Sequence, residues 1–311
     1  MRKGLFTLLS LVCAGLIWAA PAPANAADKI VIRFAHSNTP SDMDPYHALV
    51  TKMNDKLVKK LGADRIEIQE FPAGQIGSEE RSFQDVQQGV IQIASLASNN
   101  AAVFAPSLYV IDLPYLFRTN QEGWAILDKY WDELNAKTIK ESGNRIIGWL
   151  DLGYRHVCNS KRPIRTIEDL KGLKIRVPNN PVMINTFRAW GCEPTPLAWD
   201  ETFNALQQKV VDGQENSYVV FASNKFEEVQ KYMTELRYKL QIIVMVVNDT
   251  WLKKQPADIQ QAILEGGRLA TKHNREMIMA MEARLKPAMK KAGVEILDKP
   301  EDENVWEEKA M

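Results

Sequence analysis

Segments with strand character and segments with helical periodicity alternate along nearly the whole of this 311-residue chain. That alternation restricts the fold to mostly parallel sheet with helices on its faces. Residues 30–35 (Ile-Val-Ile-Arg-Phe-Ala) read as a strand, after which Tyr46, Leu49, Met53 and Leu57 recur at helical spacing. A strand at 66–71 follows, then a helix capped by Ser78 and ending near Gly89, then a buried strand at 91–96. A helix over 122–140 leads to a strand at 145–150.

The second half repeats the scheme. Thr166 and Asp169 have capping-box spacing, 173–177 is a strand, and 183–190 is a short helix stopped by Gly191. Asp200 is placed to cap a helix at 201–208, and a strand ends in Asp212-Gly213. Residues 240–247 form a long β-rich run that can pass from one unit to the other. Pro256 then opens a long helix with Ile259, Ile263, Leu269, Met277 and Met281 on apolar positions and a kink expected before Pro287. No low-complexity linker separates the two α/β units, so a hinged two-lobe protein with a cleft between the lobes is predicted.

The amino terminus has the marks of an export signal. Arg2 and Lys3 precede an apolar stretch at 5–20, and Ala24-Asn25-Ala26 supplies a small-x-small cleavage pattern, so cleavage after Ala26 is expected. The apolar run is short for a membrane span and is followed by Pro21 and Pro23, which disfavours a membrane-embedded protein. Val12 before Cys13 is the wrong size for a lipobox. Basic and acidic residues balance at 39 each, which removes the electrostatic footprint of a nucleic-acid binder. Cys158 and Cys192 remain after export, where a disulfide is permitted; spacing alone leaves both the bridged and the free state open.

Several short motifs occur in a fixed order: Phe34-Ala35-His36-Ser37, Phe71-Pro72-Ala73-Gly74-Gln75-Ile76-Gly77-Ser78-Glu79, Leu113-Pro114-Tyr115-Leu116-Phe117, Gly153-Tyr154-Arg155, the run from Asp169 to Pro178, Pro194-Thr195-Pro196, and Val211-Asp212-Gly213-Gln214-Glu215-Asn216. Singly each is unspecific. In this succession, over nearly all the mature chain, they resemble the solute-binding proteins of tripartite ATP-independent periplasmic (TRAP) transporters, the DctP family. The resemblance implies a type II periplasmic-binding-protein fold: two α/β lobes with a ligand cleft between them, bridged by crossing strands and a long helix. With the signal peptide read at 1–26, the resemblance places lobe I at 27–152 plus 242–281 and lobe II at 153–241 plus 282–311. It further implies a monomer in the periplasm that captures a small organic acid by domain closure and delivers it to TRAP membrane permease subunits, without a cofactor of its own. A ligand-sensing periplasmic protein that docks on a receptor is the alternative.

Arg176 ends a strand of branched apolar residues, at the sheet edge where ligands bind in open α/β folds. Its guanidinium offers a planar fork matched to a carboxylate. By resemblance it is the arginine that holds the substrate carboxylate; without the resemblance, an exposed ion pair is the commoner role. Arg155, at the expected crossing between lobes, resembles a second ligand-side arginine, with interlobe scaffolding as its bland role. Asn216 resembles an asparagine that donates across the cleft, or is an ordinary turn residue. Gln214 and Glu215 are expected to brace the lobe or hinge. Trp199, Tyr154, Phe71 and Tyr238 are candidates for apolar pocket walls, though single aromatics are more often core. Ser37, Asn38, Ser98 and Asn99 follow strand ends of the first lobe and are candidates for the ligand's far end. Three positions depart from the family pattern: Ser217 replaces proline, Lys209 glycine, and Tyr238 a frequent histidine.

Other functions find little support. His36, Asp42, Asp44 and His47 lie close together, but their spacing fits no zinc or calcium loop, and Pro40 and Pro45 interrupt them. No nucleophile elbow, His-Glu-x-x-His, phosphate-binding glycine loop or Cys-x-x-Cys occurs, so no enzymatic centre is expected.

Overall fold

The computed structural model describes residues 29–40 and 44–311. The expected export signal at 1–26, with Cys13, and also Asp42 lie outside them. In chain order the strands are β1 (Ile30–His36), β2 (Ile66–Phe71), β3 (Ile93–Ala97), β4 (Asn144–Tyr154), β5 (His156–Asn159), β6 (Lys174–Val177), β7 (Glu193–Pro196), β8 (Gly213–Asn216), β9 (Tyr232–Thr234), β10 (Leu240–Asn248) and β11 (Glu295–Leu297).

These strands form two sheets, one per lobe. The first has the order β2-β1-β3-β10-β4, with β10 antiparallel to both neighbours; the second has the order β11-β9-β5-β8-β6-β7. β7 carries Pro194 and Pro196, which a sheet tolerates because this strand lies at its edge and pairs only with β6. The expected helix over 122–140 is two helices, Asn120–Lys129 and Trp131–Ser142. Thr166 and Asp169 do form a capping box, around a short 3₁₀ turn at Ile167–Leu170. Asp200 is not a cap: the helix Thr202–Gln207 starts after Glu201 and has no side-chain cap.

The chain passes between the sheets twice on strands. β4 ends at Tyr154 and β5 begins at His156 in the other sheet, so Arg155 alone separates them. β10 returns from the second sheet after β9. Arg155 N donates to Lys239 O at 2.9 Å, which ties the two crossings side by side.

The third connection is the helix Ala257–Lys291, 35 residues that continue through Pro287. At 1.5 Å per residue it is about 50 Å long, enough to run along both lobes. Gly267 lets it lie directly on β4, since a Cβ there would sit 2.1 Å from the Ile147 carbonyl oxygen. Trp149 N donates to Thr271 Oγ1 at 3.2 Å, and Asn274 exchanges hydrogen bonds with the backbone of Asp151 at 2.7 and 3.0 Å. Farther on, Met281, Leu285 and Met289 join a core shared with Val219 and Phe221 of the second lobe. The helix is therefore anchored on the first sheet and packed into the second lobe.

Candidate functional site

One cavity lies where strand ends of both sheets face each other. Ser37 and Asn38 follow β1, Asn99 and Asn100 follow β3, and Gln241 lies at the start of antiparallel β10, so all reach the same edge of the first sheet. Arg176 and Pro178 lie at the end of β6, Asn216 at the end of β8, and Arg155 just before β5, at the facing edge of the second sheet. Tyr46, Glu79 and Trp199 complete the wall with two small apolar residues. A larger groove continues outward between Ala73-Gly74 of one lobe and Phe203 and Phe226 of the other; Ser37, Glu79 and Trp199 line both spaces.

Arg176 is 2% exposed. Its Nε and Nη2 both donate to the Leu197 carbonyl, at 3.0 and 2.7 Å, and its guanidinium lies 5.8 Å from the Trp199 ring centre. Among the described residues it forms no ion pair with a carboxylate. Burial pushes its pKa down to about 10, with Glu215 opposing and Arg155 adding to the shift. A buried cation held by a single carbonyl is an incomplete arrangement, because desolvation of the charge is repaid only by a counter-ion with good geometry.

Arg155 is the opposite case. Its Nη2 donates to Glu215 Oε1 at 2.6 Å and to the Glu215 carbonyl at 2.8 Å, while its Nε donates to Oε2. Tyr238 completes the group, donating its hydroxyl to Glu215 Oε2 at 2.6 Å. Burial works against the Arg155 charge, but Glu215 more than offsets it and holds the pKa above the usual value. Arg155 thus lines the cavity with its charge already neutralised.

Glu79 is the first residue of the helix Glu79–Gln87, capped by Ser78. It accepts from Ser37 Oγ at 2.6 Å, Ala97 N at 3.0 Å and Asn100 Nδ2 at 2.7 Å. Burial raises its pKa; these three donors work the other way. Asn216 donates to Gln214 Oε1 at 3.0 Å, which leaves its own Oδ1, like Gln241 Oε1, buried without a partner. Orphaned polar atoms around one cavity mark it as built for a polar occupant.

Seven sequence candidates therefore line one cavity: Arg176, Arg155, Asn216, Trp199, Ser37, Asn38 and Asn99. Four lie elsewhere. Tyr238 is buried between Phe187 and Trp190, edge-on to both rings, and braces Glu215 rather than the cavity. Tyr154 is core, its hydroxyl donating to the Phe117 carbonyl at 3.0 Å. Ser98 faces away and donates to Asp112 Oδ1 at 2.9 Å. Phe71 ends β2, one strand too far out to reach the cavity wall. Glu79, Asn100, Tyr46 and Gln241 were not assigned site roles from sequence; Glu79 and Tyr46 look there like the first turns of helices, and Gln241 like one polar residue in an apolar strand.

The acid–histidine group near the first turn is structural. His36 Nε2 and His47 Nδ1 both contact Glu70, at 2.8 and 2.9 Å, while Asp44 caps the helix Pro45–Leu61 through Tyr46 N and His47 N. Among the described residues no group of three or more His, Cys, Asp or Glu side chains is placed to hold a metal ion. Cys158 and Cys192 are both buried free thiols, in different parts of the core.

Comparison with known proteins gives a consistent answer. The family described as bacterial extracellular solute-binding protein, family 7 (DctP) matches residues 34–311. The 2,3-diketo-L-gulonate-binding periplasmic protein YiaO of Escherichia coli is 30% identical over 267 residues, covering 86% of this chain and 80% of that protein. A TRAP periplasmic solute-binding protein from Polaromonas sp. JS666, bound to D-erythronate, superposes with a TM-score of 0.85 at 28% identity, covering 91% of this chain and 92% of the other. One from Rhodobacter sphaeroides in an apo, open form is 36% identical, yet superposes less well, with a TM-score of 0.74 over 90% of each chain.

Proposed function

The chain belongs to the DctP family of TRAP-transporter solute-binding proteins, and from that membership we propose that it captures a small organic acid by closing its lobes on it. The observation that carries this reading is Arg176: a buried guanidinium in the interlobe cavity that, among the described residues, is satisfied only by the Leu197 carbonyl and by no carboxylate. A ligand carboxylate supplies the missing counter-ion, as a planar fork opposite a planar fork. Asn216, Arg155, Trp199, Ser37 and Asn38 are the further contacts, and the lobes divide as 27–152 plus 242–281 and 153–241 plus 282–311.

Relatives point to the same chemistry. The Polaromonas protein is bound to D-erythronate, the Escherichia coli protein binds 2,3-diketo-L-gulonate, and a 26% identical protein from Anaerococcus prevotii holds D-glucuronate. Each is a hydroxylated acid. The better superposition on the erythronate-bound structure than on the more similar open one supports a description of these lobes as closed. Closure is then the signal: ligand contacts to both lobes stabilise the closed form, and the permease distinguishes it from the open one. No described helix is long and apolar enough to cross a membrane, in keeping with a carrier that meets its permease from the periplasm after removal of residues 1–26.

A thermal-shift screen of the mature protein against organic acids, followed by calorimetry on the hits, tests this. One acid must raise the melting temperature in proportion to its occupancy and be recovered chemically unchanged. Turnover of the acid, or a screen in which only non-acids bind, would remove the proposal.

A further inference from the structure

We propose that Glu79 restricts this site to monocarboxylates that carry hydroxyl groups at the end away from Arg176, and that it excludes dicarboxylates. This depends on Arg176 being the carboxylate anchor.

Among the described residues, most charges at the cavity are already paired. Arg155 is neutralised by Glu215. Lys239, whose ammonium approaches Asn99 Oδ1 at 3.5 Å from behind the wall, is neutralised by Asp112 at 2.7 Å. Two charges remain without a counter-ion among the described residues: the Arg176 guanidinium on the second lobe and the Glu79 carboxylate on the first. Glu79 is 7% exposed, and its partners, Ser37, Ala97 N and Asn100, are all neutral donors. Burial raises its pKa, while those donors and the favourable end of the helix dipole, in the first turn of the helix Glu79–Gln87, work toward the charged form, which is the form the proposal takes.

The cavity is therefore polarised, with a cation on one lobe and an anion on the other. A ligand spanning it must be anionic at one end and a hydrogen-bond donor at the other. Glu79 Oε2 already accepts two hydrogen bonds and Oε1 only one, which leaves Oε1 free to take a hydroxyl proton. The side-chain amides of Asn38, Asn99, Asn100, Asn216 and Gln241 along the walls donate and accept at once, which suits hydroxyl groups between the two ends. A second carboxylate inside the cavity meets Glu79 with no unpaired cation beside it among the described residues that line that cavity, the exposed Lys225 lying in the outer groove, and like charges desolvated together are strongly unfavourable.

Matched acids test this directly, because oxidising the terminal carbon of an aldonate to a carboxylate changes little besides the charge at the far end. Affinities are measured by calorimetry for D-erythronate against meso-tartrate and for galactonate against galactarate, in the wild type and in Glu79→Gln. In the wild type the better-binding monoacid is expected to exceed its diacid by ~100-fold or more, the scale of a buried like-charge contact. In Glu79→Gln, which keeps the side-chain shape and removes the charge, that ratio falls by at least ~10-fold even if both absolute affinities drop. A wild-type diacid within about threefold of its monoacid overturns the proposal without any variant, so a poorly folding Glu79→Gln does not protect it; an unchanged ratio in a folded variant overturns it equally. If none of the four acids binds the wild type while another organic acid does in the thermal-shift screen, this substrate class is overturned and Arg176 as an anchor is not; if no acid binds at all, the anchor fails first and this inference with it.

Discussion

Asn180 Nδ2, on the lobe that carries Arg176, donates across the interlobe space to Asp112 Oδ2 at 2.8 Å and to the Asn99 carbonyl at 3.0 Å. Asn180 and Asp112 are both essentially inaccessible to solvent. Asn180 also caps the helix Pro181–Ala189 by accepting from Met183 N, so its orientation is set within its own lobe before it reaches the other. Asn99 in turn lines the cavity between the sheet edges. A hydrogen bond of this kind, dry and between lobes, exists only while the lobes are together.

Asn180→Ala is accordingly expected to weaken ligand binding by roughly 10-fold or more, since a hydrogen bond to a buried charged group contributes about 1.5–3 kcal/mol. The loss acts through closure, so the preference among acids stays the same while affinity for all of them falls. Small-angle scattering adds the structural readout: the variant needs more ligand than the wild type to reach the same compact radius. Wild-type affinity in the variant would show that the latch does not contribute to closure.

Arg176→Ala should cost on the order of 2–5 kcal/mol of binding, the usual effect of truncating one partner of a buried charge pair. Arg176→Lys should bind weakly as well, because a point charge does not reproduce the fork. Arg176→Met makes the sharper statement. Without ligand it removes a buried cation that has no counter-ion among the described residues, so the unliganded protein should melt at a higher temperature while the ligand-induced shift disappears. A lower melting temperature of unliganded Arg176→Met would mean that the guanidinium is already well satisfied by the protein.

The alternation of strands and helices was legible because buried parallel strands and amphipathic helices impose different periods on apolar residues. Strand ends were legible for the same reason, which is why Ser37, Asn38, Arg176 and Asn216 come together at one cavity. Tyr154 and Tyr238 stay open between pocket wall and core in the sequence because an aromatic beside a crossing strand has the same signature whether it faces the cleft or the core; only the third dimension places Tyr238 against Phe187 and Trp190. Glu79 and Asn180 were hidden by a second cause. Each sits at a helix start, where acids, Asn and Ser are common for local reasons, so the cross-lobe partners of Asn180 and the cavity position of Glu79 leave no separate trace. β7, with two prolines in four residues, is readable as a strand only once its edge position is known.

Cys158 and Cys192 should both titrate as free thiols in denatured, unreduced mature protein. Each is buried in its own part of the core, with Cys158 Sγ near the His156 carbonyl at 3.9 Å and Cys192 Sγ near the Phe187 carbonyl at 3.3 Å. Burial pushes the Cys192 thiol up to about 12 and Cys158 well above its usual range, so neither forms the reactive thiolate readily in the folded state. In the native protein a thiol reagent should therefore react slowly at both. Recovery of an intramolecular disulfide from freshly exported protein would contradict this arrangement.

His156 makes stability fall with acid in a defined window. It opens β5 opposite Asn216, edge-on to the Tyr218 ring at 4.9 Å, with its Nδ1 accepting from Arg237 N at 3.4 Å. Burial, helped by the nearby charges of Arg237 and Lys286, holds its pKa down to about 3. In the unfolded chain it takes a proton near pH 6.5; in the folded chain it does not. The neutral ring thus contributes stability that is fully present above pH 6.5 and is lost at about 1.4 kcal/mol per unit as pH falls toward 3, because only the unfolded state gains the proton. Buried carboxylates with raised pKa values, Glu79, Asp151 and Glu282, act in the opposite sense, so the comparison of variant with wild type is the informative one. Urea unfolding at pH 7 and pH 5 should show the wild type losing about 1–2 kcal/mol more than His156→Gln over that interval. The slope, not the absolute stability of the variant, is the test, and parallel pH profiles for the two proteins would mean that His156 charges in the folded state.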